Sequence, residues 1–573
     1  MHRPGPRNYA RHVAQALLAA VAIGIFAAHA SVYGAWLIDD AGISIAYARN
    51  LIHGYGLVAQ PGDAPVEGYS NPTWVALLAL LEGATGPRGP WALKEVGIVL
   101  VACTYLLVID LVRKTARHSI LVGGAALVFC SVNPSFVIWC TSGLENPLYV
   151  FGIVTLAWTT IRCLTAARPR HALATCGAIA AFVAMTRPDG VLYAALPPLV
   201  LFATRRADRR VLVAYAAGFG LPFAIFLASR ALIFHRVLPN TYAAKGGLHL
   251  SDAFAVTDGM PNVVAKLEEI LDEAFAGIMT NVVLIAALLA GRFAARRKAF
   301  TAPLGVLCAF AFVALLDFLL LPRDRMGEHR FATPFYPLYY AAVFSVLDAA
   351  ITAGRARFGR AGLAAIAGSL LVMTFPDFAG RAFRFAARPS IGLFFVKRAF
   401  ADRIDRYADA LGVEHGSVLL PDVGGMLLWS KLHVIDLAGL CDETVARTLF
   451  RDHDAAAARE YVFGAQRPTF IHAADMWAKA IALEADPRFS DYVPIHVYDA
   501  VEDAPAGGHA SGLFVRRDAL GAAGDQAVLE SLRAEPHRRL GFLPPPASSP
   551  VLRWLRRARW LPETYRRTAT KRD

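Results

Sequence analysis

The chain has 573 residues, of which 56% are hydrophobic, and its mean hydropathy is +0.43. Apolar runs of membrane-spanning length recur along the first two-thirds, so we expect a polytopic membrane protein rather than a soluble one. The net charge is +13, but the basic residues form short clusters between the apolar runs, which is the pattern that orients helices against the cytoplasm. We therefore expect a lipid bilayer as partner and no nucleic acid.

The first apolar segment begins after three arginines, Arg3, Arg7 and Arg11. It contains Ala28-His29-Ala30, which mimics a signal-peptidase site. Because the apolar run continues toward Trp36 and further spans follow, we interpret the segment as an uncleaved signal anchor. Length and hydrophobic periodicity predict eleven spans, at 14–37, 91–112, 119–139, 147–163, 171–186, 189–204, 211–234, 276–291, 300–322, 331–353 and 361–375.

The basic clusters set the orientation of these helices. With the N-terminus in the cytoplasm, all five clusters lie in cytoplasmic loops, as the positive-inside rule requires: 113–117, 162–170, 205–210, 292–298 and 355–360. The opposite face then receives the loops 38–90, 142–146, 187–190, 235–275 and 323–330. An odd number of spans also exports the segment after residue 375. The predicted location is the inner (cytoplasmic) membrane of a bacterium, with the C-terminal segment in the periplasm or otherwise outside the cytoplasm.

Two of the predicted spans, 171–186 and 189–204, are short for a hydrocarbon core of about 30 Å. We expect them to form a hairpin whose outer tip is Arg187-Pro188-Asp189. Polar backbone at that depth requires water or protein partners, so the tip is expected to lie in a water-filled pocket below the membrane surface.

The chain changes character after residue 375. Short apolar runs bounded by turn residues, such as Ser417–Pro421 and His433–Leu437, alternate with alanine-rich helical patterns, which predicts an extracytoplasmic α/β domain over 376–545. Residues 546–573 mix tryptophans with many arginines. This composition suits a segment lying on an anionic membrane surface, and a disordered basic tail is the alternative. The fold class is thus an α-helical polytopic membrane bundle over 1–375 with a C-terminal α/β domain.

Two adjacent carboxylates, Asp39 and Asp40, follow the first span. One aspartate here could simply cap the short amphipathic helix that the next residues predict. A second carboxylate at the mouth of a helical bundle is not explained by capping, and charge at this depth is usually functional. Such a pair can accept a proton from a hydroxyl or hold a divalent cation such as Mg²⁺, Mn²⁺ or Ca²⁺.

Further polar residues fall in the loops predicted to face outside, and one bundle could bring them together. Cations among acids at a membrane surface suit a phosphate whose hydrophobic tail stays in the bilayer. The alternative for each residue is an interfacial side chain that snorkels or forms a salt bridge. The cationic candidates for the donor phosphate are Arg187, Lys245, Arg330, Arg49 and His329, and the remaining candidates for substrate contacts are Glu67, Tyr69, Asn71, Glu145, Asp189, Asn240 and Tyr242.

The run 39–51 (DDAGISIAYARNL), followed by 54–58 (GYGLV) and 66–74 (VEGYSNPTW), resembles the first external loop of the AftB-type terminal arabinofuranosyltransferase family of mycobacteria. Weaker similarities occur at 142–147, 186–190, 238–245, 329–337 and 422–440, so the resemblance is spread over most of the chain. Relatives often carry Gly-Gly-Asp before the stretch corresponding to 324–330, where this chain has Leu321-Pro322-Arg323-Asp324-Arg325, and Asn146 stands where a threonine is expected.

The resemblance implies a GT-C-like fold and an inverting glycosyltransferase. Enzymes of this class take a sugar from a polyprenyl phosphate and pass it to an acceptor outside the membrane, here a cell-envelope glycan or glycolipid. Their paired acids supply the catalytic base and in some cases a metal ligand, which implies those roles for Asp39 and Asp40 without deciding which is the base. The implied sugar is arabinofuranose or another pentose.

Two other classes of protein remain as alternatives. A transporter or flippase for lipid-linked sugars or polysaccharide would also be polytopic, but it should show internal repeats and helix breaks near the midplane, and we find neither. A non-catalytic envelope assembly scaffold would explain the exported domain, yet it would not need acids and cations gathered over a helical bundle.

Overall fold

The structure is a computed structural model that describes residues 6–86, 90, 92–164, 169–206, 208–247, 253–257, 260–275, 277–322, 326–354, 359–497, 511–520, 529–531 and 533. The predicted basic tail at 546–573 lies outside the described residues, as do Arg323, Asp324 and Arg325.

Within the described part of the chain, seven helices are long and apolar enough to cross a membrane. They are Val13–Tyr33, Ala92–Thr115, Arg209–Phe234, Met279–Arg296, Ala302–Leu320, Phe335–Ala353 and Gly359–Ala387. An eighth span is formed if Ser119–Val132 and Pro134–Cys140, which meet at 71°, count as one. The bend falls at Asn133, because Pro134 cannot continue the first helix and the Asn133 side chain caps the second by accepting from Phe136 N.

The other three predicted spans are helical but do not have the length and hydropathy of the seven. They correspond to Asn146–Cys163, to Pro169–Thr186, and to the broken segment Pro188–Gly190, Val191–Ala194 and Leu196–Ala203. All eleven predicted segments are therefore helices, whereas eleven crossings of the membrane remain a prediction.

Packing divides these helices into central and lipid-facing ones. Phe335–Ala353 is buried on nearly all sides, whereas Arg209–Phe234 exposes large apolar side chains such as Leu221 and Leu232, as expected for contact with lipid. The latter helix crosses Pro169–Thr186 at two glycines whose Cβ atoms would meet backbone of the partner helix, which is the small-residue contact typical of membrane bundles.

Shorter elements lie between the spans. Four helices occupy the connections predicted to face outside, at Asp40–Ile52, Pro72–Thr85, Asn240–Ala244 and Asn262–Phe275. A two-stranded antiparallel ribbon pairs β1 (Val256–Thr257) with β2 (Met260–Pro261).

The C-terminal part is built on a five-stranded sheet. Its strands are β3 (Ser417–Leu420), β4 (His433–Asp436), β5 (Phe470–Ala473), β6 (Tyr492–Val497) and β7 (Gly512–Arg516), in the order β4-β3-β5-β7-β6. The pairs β3–β4 and β3–β5 are parallel, and β7 is antiparallel to both neighbours. The predicted α/β domain is therefore present.

Helices cover this sheet and connect its strands. They are Leu393–Val396, Lys397–Ala401, Asp402–Ala410, Gly424–Trp429, Glu443–Val445, Ala446–Arg451, Ala455–Glu460, Tyr461–Gln466 and Asp475–Ile481, with single 3₁₀ turns at Leu483–Ala485, Pro487–Asp491 and Arg517–Leu520. The helix Gly359–Ala387 runs past residue 375, so the domain boundary placed there stays a prediction.

The sheet domain contacts the loop that follows the first span backbone to backbone. Ile38 bridges Gly392 in antiparallel fashion, and Leu393 N donates to Leu37 O at 2.8 Å. A Cβ added to Gly42 would lie 2.5 Å from the carbonyl carbon and oxygen of Gly424, a distance that real side chains do not adopt. The two glycines therefore allow the helices Asp40–Ile52 and Gly424–Trp429 to touch.

Candidate active site

The structure gives the two adjacent aspartates different environments. Asp39 is buried, with its Oδ2 accepting from Gly424 N and its Oδ1 from Gly425 N, both at 2.8 Å. Asp40 begins the helix Asp40–Ile52, and its side chain is 34% exposed. Successive residues at a helix start point about 100° apart, so the two carboxylates have different neighbours: the amides of Gly424 and Gly425 for Asp39, and the guanidinium of Arg330 for Asp40.

A third carboxylate, Asp422, follows strand β3 at the edge where the parallel strands end. Burial, together with the negative charge of Asp40, raises the pKa of Asp422 to about 6. Burial and the neighbouring Asp422 also raise the pKa of Asp39 above its usual range, while the two glycine N–H donors act in the opposite direction. The site therefore concentrates negative charge from two parts of the chain that are far apart in sequence.

Arg330 is the cation that faces Asp40. Its Nη1 lies 3.5 Å from Asp40 Oδ2 and 3.2 Å from Met326 Sδ. The backbone carbonyl of Arg330 accepts from Asn146 Nδ2 at 2.8 Å, and the same amide donates to Thr333 Oγ1. Asn146, the departure from the family pattern, thus ties the turn that carries Arg330 to the helix Asn146–Cys163.

The Arg187 guanidinium lies in a buried group of polar side chains. Its Nη1 donates to Glu145 Oε1 at 2.9 Å, and its Nε donates to Asp189 at 3.1 Å. Asn71 Nδ2 donates to Glu145 Oε2 at 2.8 Å. Burial opposes ionisation of Glu145, but Arg187 and the Asn71 amide hold the pKa of Glu145 below its usual range. The tip of the predicted hairpin is therefore held by two carboxylates.

Phe331 links these two groups of residues. The guanidinium carbons of Arg187 and Arg330 each lie 4.7 Å from the centre of its ring. Cation–π contacts with this one ring hold the two guanidinium groups close to each other in spite of their mutual repulsion.

The candidates from the second half of the first loop lie at the contact with the sheet domain. Glu67 Oε2 pairs with Arg230 Nε at 2.9 Å in a buried setting, and burial raises the pKa of Glu67 to about 7 against the effect of that arginine. Asn240 N donates to Glu67 O, and its Nδ2 donates to the carbonyls of Gly439 and Leu440. These contacts attach the loops that carry Glu67 and Asn240 to the sheet domain.

The remaining candidates are spread around this contact. Tyr69 is buried, with its ring edge-on against Tyr47. Tyr242 is half-buried in the short helix Asn240–Ala244, and Lys245, which follows this helix, is exposed. Arg49 pairs with Glu82 at 2.8 Å, nine residues and thus about 13 Å along the helix from Asp40.

His329 precedes Arg330 and lies 3.1 Å from Glu273 through its Nε2. Burial lowers the pKa of His329, but the hydrogen bond and charge of Glu273 outweigh it, so that the pKa is raised.

The predicted divalent cation at Asp39 and Asp40 does not fit these contacts well. Each oxygen of Asp39 already accepts a backbone N–H, and Asp40 faces the guanidinium of Arg330, so a cation would compete with these donors. Among the residues that the structure describes, no three or more His, Cys, Asp or Glu side chains are grouped as metal ligands. The cation remains a prediction, and no catalytic step is derived from it.

Several residues at this site were not predicted from the sequence. Asp422, Gly424 and Gly425 lie in a block that carries part of the family resemblance, so that signal was available, but no spacing argument joins residue 424 to residue 39. Phe331 and Asn146 also lie in blocks that carry the resemblance, but their contacts could not be predicted, because these depend on which helices meet.

Known proteins resemble this chain in fold and in part of its sequence. No protein-family model matches the chain. The crystal structure of the Archaeoglobus fulgidus oligosaccharyltransferase in its apo form has a TM-score of 0.51 at 13% identity, covering 82% of this chain and 71% of that one. The archaeal oligosaccharyltransferase AglB from the same organism, in complex with an inhibitory peptide and a dolichol-phosphate, has a TM-score of 0.50 at 14% identity, covering 86% and 75%.

At these identities the likeness shows the fold alone, which this chain shares with the two archaeal oligosaccharyltransferase structures. In sequence, the chain is similar to the terminal β-(1→2)-arabinofuranosyltransferase of Mycobacterium tuberculosis, with 32% identity over 228 residues. That match covers 37% of this chain and 35% of the relative, so the chain matches about a third of the length of that relative. The predicted resemblance to GT-C enzymes of the arabinofuranosyltransferase type is thereby confirmed.

Proposed function

We propose that this chain is an integral-membrane glycosyltransferase that takes arabinofuranose or another pentose from a polyprenyl-phosphate donor. The acceptor is a hydroxyl of a cell-envelope glycan or glycolipid on the extracytoplasmic face, and the anomeric centre is inverted. The sequence similarity to a terminal arabinofuranosyltransferase supports the sugar, and the GT-C fold supports the lipid-linked donor and the membrane location.

One observation carries the proposal: a partly exposed carboxylate and a guanidinium face each other at the start of the helix Asp40–Ile52. Asp40 and Arg330 approach to 3.5 Å, while the carboxylate beside Asp40 is held by two backbone amides. A base must be accessible to its substrate, and a phosphate needs a cation beside it. We therefore assign the base to Asp40 and the donor phosphate contact to Arg330.

In the proposed reaction the acceptor oxygen attacks the anomeric carbon from the side opposite the phosphate. The bond from that carbon to the phosphate oxygen breaks, and polyprenyl phosphate leaves with the bonding electron pair. The acceptor proton passes to a carboxylate oxygen of Asp40. Negative charge develops on the leaving phosphate, where Arg330 stabilises it more strongly in the transition state than in the ground state.

The other predicted cations receive supporting roles in this scheme. Arg187 already meets two carboxylates, so we assign it to holding the pocket wall and, through Phe331, the face beside Arg330. Lys245 is exposed and can approach a lipid phosphate from the sheet-domain side. His329 and Arg49 face Glu273 and Glu82 and remain candidates of lower rank.

The test is transfer of radiolabelled sugar from a panel of polyprenyl-phosphate donors, using purified full-length protein and an acceptor glycan. General-base help is worth about 10² to 10⁴ in rate, so we expect Asp40→Asn to lower kcat by that factor with one donor of the panel. The matched control is Asp63→Asn, which changes a half-buried aspartate of the same loop that lies near His433. Wild-type turnover by the Asp40 variant, or no turnover with any pentosyl donor, contradicts the proposal.

A further inference from the structure

The turn that delivers Arg330 has a strained backbone. Gly327, Glu328 and His329 have φ values of 74°, 50° and 41°, so three consecutive residues occupy the left-handed region. Glycine adopts this region freely, but a residue with a side chain pays roughly 1–3 kcal/mol for it. Two such residues in a row persist only if their surroundings hold them.

A buried ionic group surrounds the turn. Arg381, in the helix Gly359–Ala387, places its Nη2 2.5 Å from Glu328 Oε2 and 2.9 Å from Glu273 Oε2. Ser135 Oγ lies 2.9 and 3.0 Å from these two carboxylates and can donate its single proton to either of them. Arg381 is only 5% exposed. Arg381 and Ser135, from two separate helices, therefore hold the Glu328 side chain in place.

The backbone of the same turn is held as well. Trp139 Nε1 donates to Glu328 O at 2.7 Å, and the following residue, His329, meets Glu273 Oε1 at 3.1 Å. Both partners belong to elements that do not carry the site. The turn thus has a fixed backbone and a fixed side chain directly before Arg330.

Stability alone does not account for this arrangement. Replacing a buried ion pair by apolar residues is often neutral or stabilising, so such a network is weak evidence for a role in stability. A buried network combined with backbone strain indicates instead that the position of the turn is important. Arg330 comes directly after the strained segment, and its guanidinium meets Asp40.

We propose that Glu328 and Arg381 are positioning residues that hold the Gly327–His329 turn so that Arg330 faces the donor phosphate. This inference rests on the proposed function, because it assumes that Arg330 binds that phosphate. It assigns no contact with substrate to either positioning residue. The ionic group on the far side of the turn acts on the reaction only through Arg330.

The experiment is a double-mutant cycle on the affinity for undecaprenyl phosphate, measured by titration calorimetry on the full chain in detergent. The variants are Glu328→Gln, Arg330→Ala and the combination of both, and the affinity is the readout because it does not require turnover. A charge-assisted contact is worth about 1.5–3 kcal/mol, so Arg330→Ala should weaken binding by about 10- to 100-fold. Glu328→Gln should weaken it by about 5- to 10-fold, and the double variant should bind no more weakly than Arg330→Ala alone.

Asp348→Asn is the matched control. Asp348 is a buried carboxylate near the opposite end of the bundle that accepts from the backbone amides of Arg117 and His118. We expect it to lower the melting temperature while leaving the affinity unchanged. If Glu328→Gln does not fold, Ser135→Ala removes one hydroxyl from the same group and should weaken binding in the same direction by about 2-fold.

The outcomes separate the two proposals. If Arg330→Ala binds the lipid phosphate as tightly as wild type, the assignment of Arg330 in the proposed function is wrong. If Arg330→Ala binds weakly but Glu328→Gln and Ser135→Ala bind normally, only the positioning role is wrong. If the losses of Glu328→Gln and Arg330→Ala simply add in the double variant, Glu328 acts independently of Arg330, and the inference is again overturned.

Discussion

A single methyl group at Gly424 should separate the sheet domain from the loop that carries Asp39 and Asp40. The Cβ of an alanine there would lie 1.8 Å from Asp39 O and 2.9 Å from Asp39 Oδ1. Backbone on both sides is in contact, so neither neighbour can rotate away as a flexible side chain would. Relief requires the helix Gly424–Trp429 and the start of the helix Asp40–Ile52 to move apart by about 1 Å or more.

That movement has a calculable cost. It breaks or stretches the two hydrogen bonds from Gly424 N and Gly425 N to the Asp39 carboxylate, each 2.8 Å long. Hydrogen bonds to charged groups contribute about 1.5–3 kcal/mol each, which puts the loss at about 3–6 kcal/mol. Because Asp40 follows Asp39 directly, the proposed base moves too, and a displacement of about 1 Å can lower a rate by about 10²-fold.

The assay combines thermal unfolding in detergent with sugar transfer. We expect Gly424→Ala to lower the melting temperature by several degrees and kcat by about 10²-fold or more. Gly368→Ala is the matched control, since a Cβ at Gly368 meets nothing within 4 Å and the residue lies in the exposed face of a helix. Alanine is favoured over glycine in a helix by about 1 kcal/mol, so this control should not be less stable than wild type.

The reasoning would be refuted by a Gly424→Ala protein that melts and turns over like wild type. The contact between Gly424 and Asp39 would then not exist in the working protein. Loss of activity in both alanine variants would show that the assay reports general damage rather than this contact.

The remaining predictions concern the charges around the site. Asp39→Asn should lower the melting temperature, because the amide would set an NH₂ group against one of the backbone N–H donors of Gly424 and Gly425, at a cost of about 1–3 kcal/mol. An unchanged melting temperature would show that these two hydrogen bonds do not stabilise the fold. Asp422→Asn should raise the melting temperature at pH 7.5 and not at pH 4. The folded state holds the Asp422 proton up to a pKa of about 6, whereas the unfolded chain releases it near pH 4, so wild-type stability falls as pH rises between these values and the variant lacks this loss. An equal difference in melting temperature between Asp422→Asn and wild type at both pH values would refute this explanation. Glu145→Gln should destabilise the protein by about 3 kcal/mol, because it leaves the buried Arg187 guanidinium with one carboxylate fewer. Glu443→Gln, at an exposed ion pair, should cost no more than about 1 kcal/mol. Equal melting temperatures for these two variants would show that burial of the first pair is unimportant.

Hydropathy and composition were sufficient to predict the helical segments and the strands. The long apolar run Arg209–Phe234 and the short apolar run in Ser417–Leu420 can be recognised locally, since spans need about twenty apolar residues and strands need short apolar runs between turns. The position of Asp39 and Asp40 at the end of the first span could likewise be predicted from the order of residues alone. Local patterns determine local structure, and these features are local.

Only the tertiary structure distinguishes the candidate acids from one another and the candidate cations from one another. Asp39 and Asp40 are equivalent in sequence, and they differ because Gly424 and Gly425, 385 residues later, bind one of them. Arg187 and Arg330 are equally plausible phosphate ligands in sequence, but Arg187 meets Glu145 and Asp189 in a buried group, whereas Arg330 faces Asp40. The cause is the same in both cases: the environment of a side chain depends on which distant segments pack beside it, and burial, charge pairing and accessibility are properties of that packing.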